Sequence, residues 1–404
     1  MRLCLFALIA VGCGEEKVST GASEPPPLRT GIGALGYNTN SISSVVVTTI
    51  GTADDGLDVP RDLEMNPDVH GELFVVNRTT DSATIFTAAG TEEQTSRLVV
   101  DPYALHFMEE VSSIAFGAHL HGDGEYPNFG TCHESRNTYN DNAEANDFMG
   151  PTLWSSDPEI FGYSNPDAIE YLSDLWDVPG HMADLGSHID MLHESPLCMG
   201  IAWEDENVYW VFDGLNNSID RVDFAADHDV GFDDHSDGII TQYIKGEVQR
   251  TEDIPSHLEF DPDTGFLYIA DTGNNAIKVL DTTSGSRGEA LPVMEPGTTH
   301  HNQEDALVWT LIEGDDFGLV QPSGLALVED HIIITDHATG YIHAFDMDGQ
   351  QVDWLDTELG EGALMGIWGK RLFDLWFVNA RDNKVIRLQA VDAPADTTEA
   401  YEDV

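Results

Sequence analysis

The sequence predicts an all-β protein, a six-bladed β-propeller in which an N-terminal strand closes the last blade. The first observation is a pattern repeated six times: an apolar run, a break, a second run that ends in Asp, Asn or Cys, a turn and a third run. The second is that β-branched and aromatic residues fill the runs while Gly, Asn and Asp fill the breaks, as in hairpins. Because each copy needs neighbours to bury its apolar face, the copies are expected to form one ring.

Five of the six copies have similar spacing. The clearest begins at Pro255 and contains the runs 266–271 and 276–281. In five copies, 11 to 14 residues separate the first apolar residue from the Asp or Asn that ends the second run. The second copy is longer and irregular, and its second run ends at Cys132. The other copies begin at Pro60, Ser112, Met199, Pro322 and Met365. This spacing favours four-stranded blades with variable outer loops.

The two ends of the repeat predict how the ring closes. The last copy has no fourth run, whereas residues 44–50 form an apolar strand without a blade of their own. We expect this strand to be the outermost strand of the last blade, where it covers an exposed edge. The predicted propeller spans residues 43–392, and an acidic tail spans 393–404. Two segments depart from the repeat: residues 137–197, with a short helix expected at 166–175, and the acidic loop 225–238.

The N-terminus predicts export. Met1 and Arg2 precede a short apolar segment, residues 3–11, which is too short to cross a bilayer. Ala10-Val-Gly-Cys13 resembles the bacterial lipobox, with Ala in place of the usual Leu. A lipoprotein signal peptide is expected at 1–12, with an acylated Cys13 and a flexible tether at 13–42. Ordinary signal-peptidase cleavage nearby is the alternative. The expected location is the bacterial cell envelope, in the periplasm or on the outer surface.

The negative charge of the chain limits the classes of partner that it can bind. The chain has 17 Lys and Arg against 73 Asp and Glu, a formal net charge of −56. Nucleic acids and anionic membrane surfaces bind clustered Lys and Arg, so neither is an expected partner, and membrane contact is expected only through the lipid anchor. The acidic surface is explained by solvation or, alternatively, by calcium binding. We expect a monomer that binds a protein or small-molecule ligand.

Two cysteines remain in the predicted propeller. Cys132 and Cys198 are expected to form a disulfide, since an exported chain folds in an oxidising compartment. Metal binding by the two thiols is the alternative.

The disulfide would bring two His-Glu pairs together. These are His133 with Glu134 and His193 with Glu194. Two imidazoles and two carboxylates can bind one divalent ion, zinc, copper or calcium, or act as acid and base. The alternative is that they are polar loop residues around a structural disulfide. Four further candidates for the channel mouth are Arg136, His257, Asp336 and His337. His228, His235, His300 and His301 are expected on the surface.

Two copies resemble known repeats. Residues 267–277 resemble the NHL repeat, and residues 208–213 with 218–224 resemble the related YWTD repeat. Both resemblances imply six-bladed propellers. The NHL-like amidating lyases use three His zinc ligands at inner-strand starts, but here only His257 stands near such a start. Pro322-Ser-Gly-Leu325 is similar to a gluconolactonase-like motif but lacks its Asn ligand.

These observations indicate a binding scaffold at the cell envelope. The alternative is a metal-dependent hydrolase or lyase with its site at the channel mouth. The sequence identifies no catalytic residue.

Overall fold

The structure, a computed structural model, describes residues 30–122, 124–138 and 144–393. It confirms the predicted fold: six antiparallel sheets form the six blades of a β-propeller. The signal peptide, Cys13 and residues 394–404 of the acidic tail lie outside the described residues.

Each blade begins with the repeat predicted from the sequence. Strand β1 (Val45–Gly51) precedes them. Blade 1 contains β2 (Pro60–Met65), β3 (Leu73–Asn77), β4 (Ser82–Thr87) and β5 (Thr95–Val99). Blade 2 contains β6 (Val111–Phe116), β7 (Asn128–His133), β8 (Thr152–Ser155) and β9 (His188–Met191). Blade 3 contains β10 (Cys198–Asp205), β11 (Val208–Asp213), β12 (Ser218–Asp223) and β13 (Ile239–Tyr243).

The second half of the ring follows the same plan. Blade 4 contains β14 (Leu258–Asp261), β15 (Phe266–Asp271), β16 (Ala276–Asp281) and β19 (Leu307–Glu313). The hairpin β17 (Ser286–Ala290) and β18 (Thr299–Glu304) is inserted between β16 and β19. Blade 5 contains β20 (Pro322–Val328), β21 (His331–Asp336), β22 (Tyr341–Asp346) and β23 (Gln351–Asp356). Blade 6 contains β24 (Leu364–Arg371), β25 (Asp374–Asn379) and β26 (Lys384–Ala390).

The ring closes as predicted. Strand β1 pairs antiparallel with β26, from Val45 opposite Ala390 to Gly51 opposite Val385, and is the outermost strand of blade 6. The inner strands β2, β6, β10, β14, β20 and β24 contact one another in that order, and β24 contacts β2. The N-terminal strand therefore joins the two ends of the chain within one blade.

The inserted hairpin does not extend its own blade. Strand β18 pairs in parallel with β13, so β17 and β18 widen blade 3 to six strands. This pairing places residues that follow β16 of blade 4 beside the outer edge of blade 3.

The core lies between successive blades. Within the described chain, six clusters of buried apolar side chains each combine residues of two adjacent blades. In the cluster between blades 1 and 2, for example, the Phe74 ring lies 5.1 Å from Phe116 and 5.4 Å from Phe129. Aromatic pairs of this kind stabilise the interface beyond simple burial. Each blade thus buries its apolar faces against its neighbours.

Helices are few and short in the described residues. They are α1 (Ala104–Phe107), α2 (Pro166–Trp176) and α3 (Gly314–Phe317), with 3-10 turns at Gly33–Leu35, Ile42–Ser44, Ala53–Asp55, Gly180–Met182 and Thr272–Asn274. Helix α2 confirms the helix expected at 166–175, and the Asn165 side chain accepts a hydrogen bond from the Asp167 N–H at 3.1 Å to cap its start. In the part of the chain described, no helix has the length and apolar character needed to span a membrane.

Ordered structure begins before residue 43. Ala34 and Leu35 are fully buried in the cluster between blades 5 and 6, and the Ala34 N–H donates to the Leu372 carbonyl at 2.9 Å. Residues 31–42, expected within the tether, therefore belong to the folded part.

Candidate functional site

A cavity of about 190 Å³ lies on the propeller axis. All six inner strands or the residues just before them contribute to its wall. Among these described residues the wall includes acidic and aromatic side chains but neither Lys nor Arg. We call this space the axial cavity.

Two acids of β2 are fixed to the neighbouring blade. Asp62 accepts a hydrogen bond from the Ile114 N–H at 3.1 Å, and Glu64 accepts one from the Phe116 N–H at 2.8 Å. These N–H groups belong to the inner strand of blade 2, whose edge has no strand partner at the axis. The two carboxyls therefore satisfy backbone donors that the ring geometry leaves without a ladder.

Burial changes the protonation of the axial acids. It raises the pKa of Asp62 and raises that of Glu64 well above its usual range. Burial, with a smaller contribution from the charge of Asp62, raises the pKa of Glu259 to about 8. His257 is buried beside them, with its Nδ1 3.5 Å from Asp62 Oδ1. The cavity thus contains carboxyl groups that can ionise when a positive charge enters.

A larger pocket of about 1190 Å³ adjoins the axial cavity. The two spaces share Glu64, Phe116, Trp203 and Trp368 in their walls. The pocket extends past the ends of the inner strands to the hairpin turns of blade 1 and to blade 6, where the Arg387 guanidinium lies 4.8 Å from the centre of the Trp376 ring. We call it the aromatic pocket.

Glycines bring the blades together where the inner strands begin. A Cβ added to Gly200 would lie 2.1 Å from the Ser256 carbonyl oxygen, and one added to Gly324 would lie 2.2 Å from that of Met365. At Gly366 it would lie 2.4 Å from Asp62 Oδ1. These glycines stand at inner-strand starts, where the resemblance to the amidating lyases would require additional His ligands. The structure shows that close contact between blades leaves no room for a side chain there.

Glu134 is surrounded by arginines at the same end of the ring. It is 4% exposed, and its Oε1 accepts hydrogen bonds from Arg250 Nη1 at 2.8 Å and from the Asp253 N–H at 2.9 Å. Its Oε2 lies 3.7 Å from Arg78 Nε and 3.9 Å from Arg61 Nη2. Burial lowers the pKa of Arg61 to about 10, so this arginine remains charged at neutral pH. The negative charge of the Glu134 carboxylate therefore offsets the positive charges of these arginines.

The other three residues of the predicted metal site, His133, His193 and Glu194, each contact a different part of the fold. His133 is fully buried, with Nδ1 2.9 Å from the Gly150 carbonyl and Nε2 3.0 Å from the Thr131 hydroxyl. His193 stacks on Phe148 with ring centres 3.6 Å apart. Glu194 accepts a hydrogen bond from the Met294 N–H at 2.9 Å.

The structure contains the predicted disulfide between Cys132 and Cys198, with the two Cα atoms 5.1 Å apart. It does not gather the four His and Glu side chains into one group of ligands. Within the described residues, the group of three or more potential ligands is instead Asp190, His228 and Asp237.

The remaining channel-mouth candidates, Arg136, Asp336 and His337, differ in burial and in hydrogen-bond partners. Arg136 is exposed and makes two hydrogen bonds to Asp147, at 2.6 and 2.8 Å. Asp336 is fully buried and accepts backbone hydrogen bonds from Val320, Gln321 and Ala338. His337 is half-buried, with Nδ1 3.0 Å from the Leu364 carbonyl, and burial lowers its pKa. Of the four candidates, His257 is the one that lines the axial cavity.

Some expected surface histidines are buried. His235 is 4% exposed, and its Nδ1 lies 2.6 Å from Asp190 Oδ1. His300 and His301 are also buried, in the inserted hairpin. The expectation that these three residues lie on the surface was wrong because loop 225–238 and strand β18 pack onto neighbouring strands.

The acids of the axial cavity were not among the residues predicted from the sequence. Glu64 and Glu259 alternate with apolar residues along the inner strands β2 and β14. Alternation of this kind places the polar side chains on one face of the strand. Together with the predicted ring, it is a signal for an acidic channel.

Comparisons with known proteins bear on the fold. No family model matches the sequence, and no curated protein matches it. An auxiliary nutrient binding protein from Bacteroides thetaiotaomicron is 11% identical, with a TM-score of 0.50, over 85% of this chain and 76% of that one. A luciferin-regenerating enzyme is 13% identical, with a TM-score of 0.49, over 86% and 96%. Regucalcin from Agrobacterium tumefaciens is 11% identical, with a TM-score of 0.48, over 83% and 92%. At these identities the likeness concerns the propeller fold alone.

Proposed function

We propose that this protein is a binding protein of the bacterial cell envelope, anchored by a lipid on Cys13, and that its ligand is a small, positively charged organic molecule. The observation that carries the proposal is the continuity of the aromatic pocket with the acid-lined axial cavity through Glu64, Phe116, Trp203 and Trp368. Ligand sites of this kind are concave, mostly apolar and supplied with a few polar groups. The lipoprotein signal peptide expected at residues 1–12 supports this location.

The charge and the aromatic side chains of the combined space together favour an organic cation as the ligand. The faces of Trp and Phe rings attract organic cations, most strongly where water is excluded. Glu64 and Glu259 line the axial cavity together with Phe116, Trp203 and Trp368, and a cation close to the two carboxyls would favour their ionised forms. Lys370 and Arg387 also line the aromatic pocket, but Arg387 already makes two hydrogen bonds to Asp374, at 2.8 and 2.5 Å. The acidic end of the combined space is therefore where a positive group would bind.

Ligand binding can be followed by tryptophan fluorescence. A panel of primary amines and quaternary ammonium compounds would be titrated into the protein, with choline compared against its uncharged isostere 3,3-dimethylbutanol. We expect saturable quenching by at least one cation and none by its neutral isostere. Trp203→Ala should weaken binding about 2- to 30-fold, the range expected for one lost cation–π contact of about 0.5–2 kcal/mol.

Trp309→Ala is the matched control, because Trp309 has a similar exposed fraction, 39% against 38% for Trp203, but lies on the outer strand β19 of blade 4. Equal binding of charged and neutral isosteres, or equal effects of the two substitutions, would contradict the proposal. Recovery of a chemically altered ligand would favour the hydrolase or lyase alternative.

A further inference from the structure

A second cluster of chemically active side chains lies at the outer edge of the ring. Strand β9 is the outermost strand of blade 2, and the loop between β12 and β13 of blade 3 packs against it. His228 of this loop has its Nε2 3.6 Å from Asp190 Oδ2 and 2.8 Å from Asp237 Oδ1. An imidazole nitrogen and two carboxylate oxygens thus converge on one point, away from the inner strands that line the axial cavity.

Both carboxylates are held in place by their other oxygen. Asp190 Oδ1 accepts a hydrogen bond from the Met191 N–H at 2.7 Å and lies 2.6 Å from His235 Nδ1. Asp237 Oδ2 accepts a hydrogen bond from the Ala226 N–H at 3.1 Å. The oxygens that remain, Asp190 Oδ2 and Asp237 Oδ1, are the two that approach His228. Carboxylate and imidazole ligands of metal ions are oriented by outer hydrogen bonds in this way.

Several buried polar atoms beside the cluster have no hydrogen-bond partner among the described residues. Asp190 is fully buried, and its Oδ2 is one of these atoms. The others include the Nε2 atoms of His188 and His193, whose rings lie 5.5 and 5.8 Å from that of His235. Leaving a buried polar atom without a hydrogen bond costs folding free energy. A bound cation would remove that cost for Asp190 Oδ2.

We propose that Asp190, His228 and Asp237 bind one divalent transition-metal ion, with zinc as the preferred ion. Zinc accepts imidazole and carboxylate ligands with bonds of about 2.0–2.2 Å, which places tetrahedral ligand atoms about 3.4 Å apart. The Asp190–His228 separation of 3.6 Å is close to that value, and the 2.8 Å His228–Asp237 contact would open slightly as the ion replaces the hydrogen bond.

The ligand set also narrows the choice of metal. Magnesium and calcium prefer oxygen ligands alone, whereas copper(I) prefers thiolates and thioethers. The cysteines of the described chain are joined in the disulfide and supply no thiolate. The Asp237 side chain is 41% exposed, so an ion can enter from solvent and water can complete its coordination. His235 is the positioning residue for Asp190.

Calorimetry on chelator-treated protein tests the site. Zinc would be titrated at physiological salt with excess magnesium, which occupies nonspecific acidic sites. We expect one equivalent of zinc, and no specific binding in His228→Ala, Asp190→Asn or Asp237→Asn. His235→Ala should keep one equivalent but weaken it about 10- to 100-fold and change the absorption spectrum of bound cobalt(II).

His331→Ala is the control and should bind zinc as the unaltered protein does. Asp237→Asn replaces a partly exposed side chain by one of equal size, so its folded state can be verified by circular dichroism. The proposal is overturned if chelator-treated protein takes up no stoichiometric zinc. It is also overturned if folded Asp237→Asn binds zinc unchanged.

Discussion

The axial acids differ in what surrounds each carboxyl. Asp62 and Glu64 accept backbone hydrogen bonds that favour their charged forms and oppose the effect of burial. No backbone hydrogen bond opposes the effect of burial at Glu259, and burial raises the pKa of this carboxyl to about 8. The accessible surface of Glu259 faces the axial cavity. It is therefore the residue whose protonation should depend most directly on pH near neutrality and on the ligand.

Glu259 should make the folded state less stable as pH rises. Its carboxyl is protonated in the folded protein up to about pH 8, whereas in the unfolded chain it ionises near pH 4.5, the ordinary value for a glutamate side chain. The folded state thus binds more protons between these pH values, and the free energy of unfolding falls through this window. We expect Glu259→Gln to lose less stability than the unaltered protein between about pH 5 and pH 8, measured by urea unfolding at several pH values.

Glu92→Gln is the control, because Glu92 is exposed and its substitution should leave the pH profile unchanged. Parallel profiles for the unaltered protein and Glu259→Gln would show that Glu259 ionises alike in the folded and unfolded states.

Single residues were the least predictable part of the candidate sites. The sequence placed Glu134 among metal ligands because it follows His133, but the fold surrounds it with arginines from three distant segments. It placed His235 on the surface because its loop is acidic, but Asp190 of another blade lies beside it. In each case the partner comes from a part of the chain that local sequence does not specify.

Elements were more predictable than side chains. The closing strand β1 and helix α2 were both expected from the sequence, at residues 44–50 and 166–175, and the structure confirms both. The hairpin β17–β18 could not be assigned to blade 3, because its sequence position between β16 and β19 indicates blade 4. Pairing of an inserted hairpin depends on which sheet edge is free, and that is a property of the assembled ring.

The disulfide should stabilise the contact between blades 2 and 3. Cys132 is the penultimate residue of the second strand of blade 2, Cys198 begins the inner strand of blade 3, and the two are 66 positions apart in the sequence. From the chain entropy of the unfolded state, closing a loop of this size stabilises the folded state by about 4 kcal/mol, and typical measured values are about 2–4 kcal/mol. We expect the Cys132→Ala/Cys198→Ala variant to lose that amount in guanidinium unfolding.

Treatment with a reducing agent distinguishes the contribution of the disulfide bond to stability from that of the packing of the sulfur atoms. It should lower the unfolding midpoint of the unaltered protein and leave that of the double variant unchanged. An unaltered protein whose midpoint is insensitive to full reduction would show that the bond contributes nothing to stability.

The whole molecule combines a closed ring with a large excess of negative charge. Each blade buries apolar surface against two neighbours, and β1 joins the first and last parts of the chain. The formal net charge of −56 opposes this compaction, because like charges repel more strongly when the chain is folded. The ring and the charge were both evident from the sequence, since one follows from the repeat and the other from composition.

Salt should therefore stabilise the protein, and the size of the effect should follow screening. The Debye length falls by about 22 Å between 0.01 M and 0.15 M ionic strength, from about 30 Å to about 8 Å, and by only about 5 Å more up to 1 M. We expect the urea midpoint to rise with sodium chloride mainly below about 0.15 M, because repulsion among the surface carboxylates is screened in that range. Sucrose, which strengthens burial without screening charge, is the control and should give a gradual rise instead. A midpoint that rises in proportion to salt up to molar concentrations would indicate an effect on burial, and a midpoint that falls would show that attractive ion pairs outweigh the repulsion.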